Sequence, residues 1–363
     1  MKIIIFAGGL GNQMFQYAFF YANKKKHKDL KATTFWYNAN KSHNGFELDK
    51  VFNISKDGFI FSKNKKPPKV EKIEKVENLP AKISPASLQI EKNKNSPKSE
   101  NLKNSPANFS TQSEKVNGSA ENLQNQNILA QIEKQKELKN VRQSKLTKII
   151  RFILNNNPLV SFLEFNDSKY FENIFAKKGL TILSGYWQNQ RYFIEEKSEI
   201  LNIFQFVPFD NSKNSLQNLQ IIKNIEETNS VSIHIRRGDY VANPLYDGVV
   251  PLVYYKNAVD FIKSKVQNPH FFIFSDDLVW CKNNLDLPAN SIFVDFNSGK
   301  NSFRDMQLMS LCKHNIITNS SFSWWGAWLN QNKEKIVIRP KNWVSENAKL
   351  DFTEICPEEW VIL

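Results

Sequence analysis

The chain has 363 residues and a formal net charge of +13, enough length for two or three domains. The charge is uneven: residues 63–151 hold 19 Lys plus Arg against 9 Glu and no Asp, so this stretch carries +10 and the rest only +3. That distribution argues against a nucleic-acid-binding core, and three scattered cysteines (Cys281, Cys312, Cys356) exclude a disulfide framework.

Residues 2–7 read as a buried strand ended by Gly8-Gly9-Leu10-Gly11, and the apolar run is too short for a signal peptide. From Asn12, through Met14, Phe15, Tyr17, Ala18 and Phe19, the pattern predicts a helix packed on a sheet. Strand, glycine turn and helix open a doubly wound α/β domain. Residues 32–37 form a second predicted strand. No stretch approaches the roughly 18 apolar residues of a membrane span, so a cytoplasmic protein is expected.

Between residues 66 and 143 the composition shifts to Lys, Asn, Ser, Glu, Gln and Pro. Glu-Asn-Leu recurs at 77–79, 100–102 and 121–123, without the leucine ladder of a solenoid. The expectation is a solvated low-complexity insert. Its functional alternative is peripheral contact with the acidic inner face of the cytoplasmic membrane.

Folded patterning resumes at 147–154, with a strand at 180–183 and a helix opening at Asn189. From residue 229 the alternation is regular. Strands at 231–235, 271–274, 292–296, 316–318 and 336–338 alternate with helices at 252–266, near Leu278, at 304–313 and at 323–329. This predicts a parallel sheet with helices on both faces, and ligands at the carboxyl ends of its strands.

The unusual residues lie at those ends. His234-Ile235-Arg236-Arg237-Gly238-Asp239-Tyr240 follows a strand, and guanidinium forks there suit a doubly charged anion; a salt-bridged surface turn is the alternative. Asn319-Ser320-Ser321-Phe322-Ser323 opens a tryptophan-rich helix, where free N–H groups, the helix dipole and hydroxyls make an anion site. One serine suffices for a cap, so three favour the phosphate reading. The tryptophans read as core.

Ser275-Asp276-Asp277 ends another strand. Neighbouring carboxylates there diverge, which argues against a shared metal. Asp276 is expected to accept from a ligand hydroxyl or base, and Asp277 to cap a helix. Ser302 and Asp305 have capping-box spacing. Gly8 to Gly11 permit close backbone approach, and the amides of Asn12 and Gln13 suit sugar hydroxyls.

Together, Gly8 to Ala18, His234 to Tyr240, Ser275 to Asp277 and Asn319 to Leu329 resemble the bacterial α-1,2-fucosyltransferases of glycosyltransferase family 11, in the family order. The resemblance implies a GT-B-like pair of facing Rossmann-type domains. The acceptor-side domain would comprise residues 1–62 and 147–228, the insert 63–146, and the GDP-fucose-binding domain 229–363. It implies inverting transfer of L-fucose from GDP-β-L-fucose to the 2-hydroxyl of a galactose-type residue in a surface glycan, with no metal required.

On this resemblance Arg236 grips the donor β-phosphate, with His234 and Asp239 beside it at the catalytic centre. Arg237, Ser275, Asp276, Asn319, Ser320, Ser321, Phe322 and Ser323 surround the donor, while Gly9, Gly11, Asn12 and Gln13 face the cleft from the other domain. No general base is transferable; Asp247, in the loop after the arginine motif, is one candidate. The alternatives are a transferase of the same architecture with another nucleotide sugar or linkage, and a non-enzymatic protein using the insert as a binding arm.

Overall fold

The computed structural model describes residues 1–39, 44–60 and 160–363. The predicted insert at 63–146 and the segment 147–154 lie outside them. Strands β1 (Lys2–Ile5), β2 (Leu30–Thr33), β3 (Phe59–Ile60), β4 (Val160–Phe165) and β5 (Leu180–Gly185) form a parallel sheet in the order β3-β2-β1-β5-β4. Strands β6 (Asn229–Ile235), β7 (Pro269–Ser275), β8 (Ile292–Phe293), β9 (His314–Ile316), β10 (Val337–Arg339) and β11 (Val361–Ile362) form a second, in the order β11-β10-β9-β6-β7-β8.

Both sheets are doubly wound. In each the first strand is central and the chain later returns to its other side, which opens a crevice at that strand's carboxyl end. The glycine loop follows β1, the arginine motif follows β6, and the serine block follows β9. The two parallel α/β sheets bear out the predicted fold class.

Several boundaries differ from the sequence reading. The second strand stops at Thr33, because Trp36–Ala39 is helical. The strand predicted over 292–296 is only two residues long. Residues after Asn189 form 3-10 turns before the helix Lys197–Ile203, with the Asn189 side chain accepting from Arg191 N at 3.0 Å. β10 is not the last strand, since β11 adds to its outer edge.

Aromatic packing joins the sheets. Helix Leu10–Lys24 covers the first, and helix Ser321–Leu329 lies between the two crevices. Phe15 packs 4.4 Å from Trp324 and 5.0 Å from Trp325, ring centre to ring centre, while Phe193 stacks on Trp325 at 5.6 Å. Buried rings at these separations add attraction beyond their area. The Trp325 indole N–H also donates to the Gly11 carbonyl at 3.0 Å, satisfying a polar group that burial would otherwise strand. The tryptophans of this helix are core, as the sequence suggested.

The three cysteines are free and buried. Among the described residues no helix is long and apolar enough to cross a membrane.

Candidate active site

The arginine turn is built on Asp276. β6 and β7 pair in register, Ile235 opposite Ser275, so the residues that follow emerge side by side. Asp276 accepts the backbone N–H groups of Arg237 at 2.9 Å and Gly238 at 3.1 Å, and its carboxylate meets Arg236 Nη1 at 2.9 Å. Glycine at 238 lets Asp276 approach, because a Cβ there would lie 2.6 Å from Asp276 Oδ2 and force that carboxylate to shift. Asp276 therefore holds the turn while also lining the cleft, where the sequence expectation placed it.

Asp239 orients the other edge of Arg236, accepting from Nε at 2.8 Å and pairing with Nη2 at 2.7 Å. Of the five guanidinium N–H donors, three are thus engaged, leaving one on each terminal nitrogen. Two such donors are what bidentate recognition of phosphate uses.

Arg237 departs from expectation. It stacks 3.7 Å from the Trp280 ring and pairs with Asp277 at 3.2 Å. Both contacts turn it towards a smaller pocket beside the cleft, where Asp247 also lies. Asp277 caps helix Leu278–Asn284 through Trp280 N, as predicted. Two arginines and three aspartates give this cluster no positive excess. An anion would be held here by directed N–H bonds and by the neighbouring helix N-terminus, not by net charge.

That N-terminus belongs to Ser321–Leu329. Ser320 caps it, its hydroxyl accepting from Phe322 N at 3.3 Å. Ser320, Ser321 and Phe322 line the cleft, with the positive end of the helix dipole behind them. Ser323 and Asn319 do not line it. Ser323 is buried with its hydroxyl turned back to the carbonyls of Ser320 and Thr318, and the Asn319 amide donates to Trp343 O at 2.9 Å. One serine caps, one is internal, and Ser321 remains for a ligand.

The cleft encloses about 800 Å³, within the roughly 300–1,000 Å³ of small-molecule sites. Gly8, Gly9, Gly11, Asn12, Glu47 and Tyr186 form the facing wall. Gly8 has φ +81°, a conformation glycine adopts without penalty. The Asn12 carbonyl oxygen accepts from Gln188 Nε2 at 2.8 Å, which leaves its NH₂ without a partner among the described residues.

Gln13, expected beside it, is buried. Its amide donates to the carbonyls of Gly8 and Gly45 and accepts from Glu47 N at 2.8 Å, so it builds the wall and meets no ligand.

Two further groups are notable. His234 is buried with Nδ1 lacking a partner among the described residues, and burial together with the Arg236 charge holds its pKa well below the ordinary histidine value. It enters the cleft as neutral imidazole. Asp305 lines the far end and accepts from Asn297 Nδ2 at 2.8 Å; burial pushes its carboxyl up to about 8. The predicted capping box fails, because Ser302 makes no side-chain cap and Asp305 reaches Asn297 instead. Glu47 was not singled out from sequence.

This geometry meets an independent result: residues 100–363 match the model of Glycosyl transferase family 11. The chain belongs to that family. The matched stretch contains the arginine, aspartate and serine blocks, while the Gly8 to Ala18 block lies ahead of it. The chain is similar to an Escherichia coli alpha-1,2-colitosyltransferase, 39% identical over 220 residues, covering 59% of this chain and 73% of the relative. It is similar to human galactoside alpha-(1,2)-fucosyltransferase 1, 32% identical over 103 residues, covering 27% of this chain and 28% of that one. Among solved structures, Arabidopsis thaliana FUT1 in complex with GDP aligns over 98% of this chain and 74% of its own, at 11% identity and a TM-score of 0.43.

Proposed function

We propose that this family 11 transferase moves L-fucose from GDP-β-L-fucose, with inversion, to the 2-hydroxyl of a galactose-type residue in a surface glycan. The observation that carries this reading is the convergence of Arg236, with two N–H groups to spare, and the N-terminus of helix Ser321–Leu329 on one cleft. As the C1–O bond breaks, charge grows on the β-phosphate oxygen of the leaving GDP. Donors fixed before reaction stabilise that charge without reorganising.

Asp276 and Asp239 aim the guanidinium. Arg237 and Asp277 brace the turn from behind. The wall opposite, with the Asn12 amide and the Tyr186 ring, would receive the acceptor sugar.

A second donor is favoured by one finding, the 39% identity to the colitosyltransferase. Colitose lacks the 3-hydroxyl of fucose, so the choice turns on whether the cleft pairs that hydroxyl. A site built to hydrogen-bond a hydroxyl discriminates strongly against its absence, by roughly 10⁴-fold or more.

The test is incubation with GDP-fucose, GDP-colitose and a UDP-sugar against a panel of β-galactosides, with linkage analysis of any product. An α-1,2-fucosylated galactoside supports the proposal. Exclusive use of GDP-colitose would move the assignment to the second donor. Turnover only with UDP-sugars would reject it.

A further inference from the structure

Resting on the transferase reading above, we infer that Glu47 is the general base that takes the proton from the attacking acceptor hydroxyl. Inverting displacement needs the nucleophile to arrive opposite the leaving phosphate. The base must therefore stand on the wall that faces Arg236.

Six carboxylates line the cleft: Glu47, Asp239, Asp276, Asp277, Asp295 and Asp305. Five come from the second sheet and its loops, on the side of the phosphate clamp. Three of these are engaged with arginines, and Asp305 is held by Asn297 at the far end. Among the described residues, Glu47 is the one carboxylate on the opposite wall.

Its setting suits the task. Glu47 immediately precedes the short helix Leu48–Val51 but makes no side-chain cap bond, so its carboxylate is free of the duty that position usually imposes. The backbone N–H is fixed by Gln13 Oε1 at 2.8 Å, and one carboxylate oxygen accepts from Asn44 Nδ2 at 3.0 Å. Asn44 Nδ2 also reaches the Gly299 carbonyl across the cleft at 3.0 Å. Asn44 thereby links the Glu47 carboxylate to the opposite side of the cleft.

The other carboxylate oxygen has no hydrogen-bond partner among the described residues. Only 6% of the residue is exposed, and burial pushes the carboxyl above the ordinary glutamate value, towards the basicity proton abstraction needs.

In the step, the acceptor 2-hydroxyl oxygen forms its bond to fucose C1 while the C1–O bond to the β-phosphate breaks. GDP leaves with that electron pair, and the hydroxyl proton passes to Glu47 and then to solvent once product departs.

The test compares the wild-type protein with Glu47→Gln and Glu47→Ala, using GDP-fucose and the galactoside acceptor. Glu47→Gln keeps the acceptor for Asn44 and removes the charge. We expect kcat to fall by roughly 10²- to 10⁴-fold, with GDP affinity and melting temperature near wild type and partial rescue of Glu47→Ala by added formate. Glu47→Gln turnover within a few-fold of wild type would overturn the base assignment alone and leave the transferase reading standing. Formate without effect on Glu47→Ala would reduce Glu47 to a structural role. Wild-type protein that neither binds GDP nor transfers sugar from it would overturn both readings.

Discussion

Replacing Gly11 by alanine tests whether the two walls are held at the separation the site needs. A Cβ at Gly11 would lie 2.6 Å from the Ser321 carbonyl carbon, 2.7 Å from Phe322 N and 2.7 Å from Ser321 Oγ. Two of these are backbone atoms, which cannot rotate aside. Ordinary contact starts near 3.4 Å, so the helix end must retreat by about 0.8 Å.

Overpacking of this kind costs about 1–3 kcal/mol. The retreat also stretches the bond from Trp325 Nε1 to Gly11 O, now 3.0 Å, whose loss costs about 1 kcal/mol more. At roughly 2–4 °C per kcal/mol for a folded unit of this size, the melting temperature should drop by about 4–16 °C. The same shift moves Ser321 and the helix N-terminus away from the donor, and misplacement approaching 1 Å costs on the order of 10²-fold in rate. Thermal denaturation by circular dichroism, GDP titration calorimetry and initial rates read the three effects. A Gly11→Ala protein with unchanged melting temperature and GDP affinity would refute the reasoning.

Arg236→Ala should lower kcat/KM by roughly 10²-fold or more and weaken GDP binding, since Asp239 and Asp276 then face the phosphate unpaired; initial-rate kinetics at near-normal values would discard the clamp. Gly238→Ala drives a methyl against Asp276 Oδ2 and should weaken GDP binding about tenfold while costing about 1–3 kcal/mol of stability, both measurable on purified protein. Asp305→Asn should stabilise. The folded carboxyl, raised by burial to about 8, keeps its proton while the unfolded one ionises near pH 4, so wild-type stability falls as pH rises through that window. Because water in the cleft reaches part of this side chain, the gain at pH 7.5 should be about 2 kcal/mol, not the full linkage value of about 5 kcal/mol. Denaturant unfolding should show the two proteins converging at pH 4, and a gap that persists there would contradict the assignment.

Elements that escaped the sequence reading share a cause. β4 and β11 are edge strands: the first is mostly half-buried without clean alternation, and the second has two residues. Helix Lys213–Glu226 is dominated by Asn, Gln and Lys, and its buried Asn218 looks like a surface residue until Asn297 is seen to exchange hydrogen bonds with it at 2.9 Å. A polar side chain that is satisfied across the fold leaves no periodic hydrophobic signal.

The sequence by itself determined the alternation of strands and helices, the placement of chemical groups at strand ends, and the family resemblance they carry. These are local properties: apolar runs, glycine turns and short motifs act over a few residues. Tertiary structure alone decided which member of each motif meets the cleft. Asn12 faces it and Gln13 does not; Ser321 does and Ser323 does not; Arg236 does and Arg237 stacks on Trp280. Adjacent residues on a turn or helix point in directions that differ by about a quarter turn or more, and only packing fixes which direction is the lumen. Glu47 became visible for the same reason, since its place opposite Arg236 is created by two sheets meeting and by no pattern along the chain.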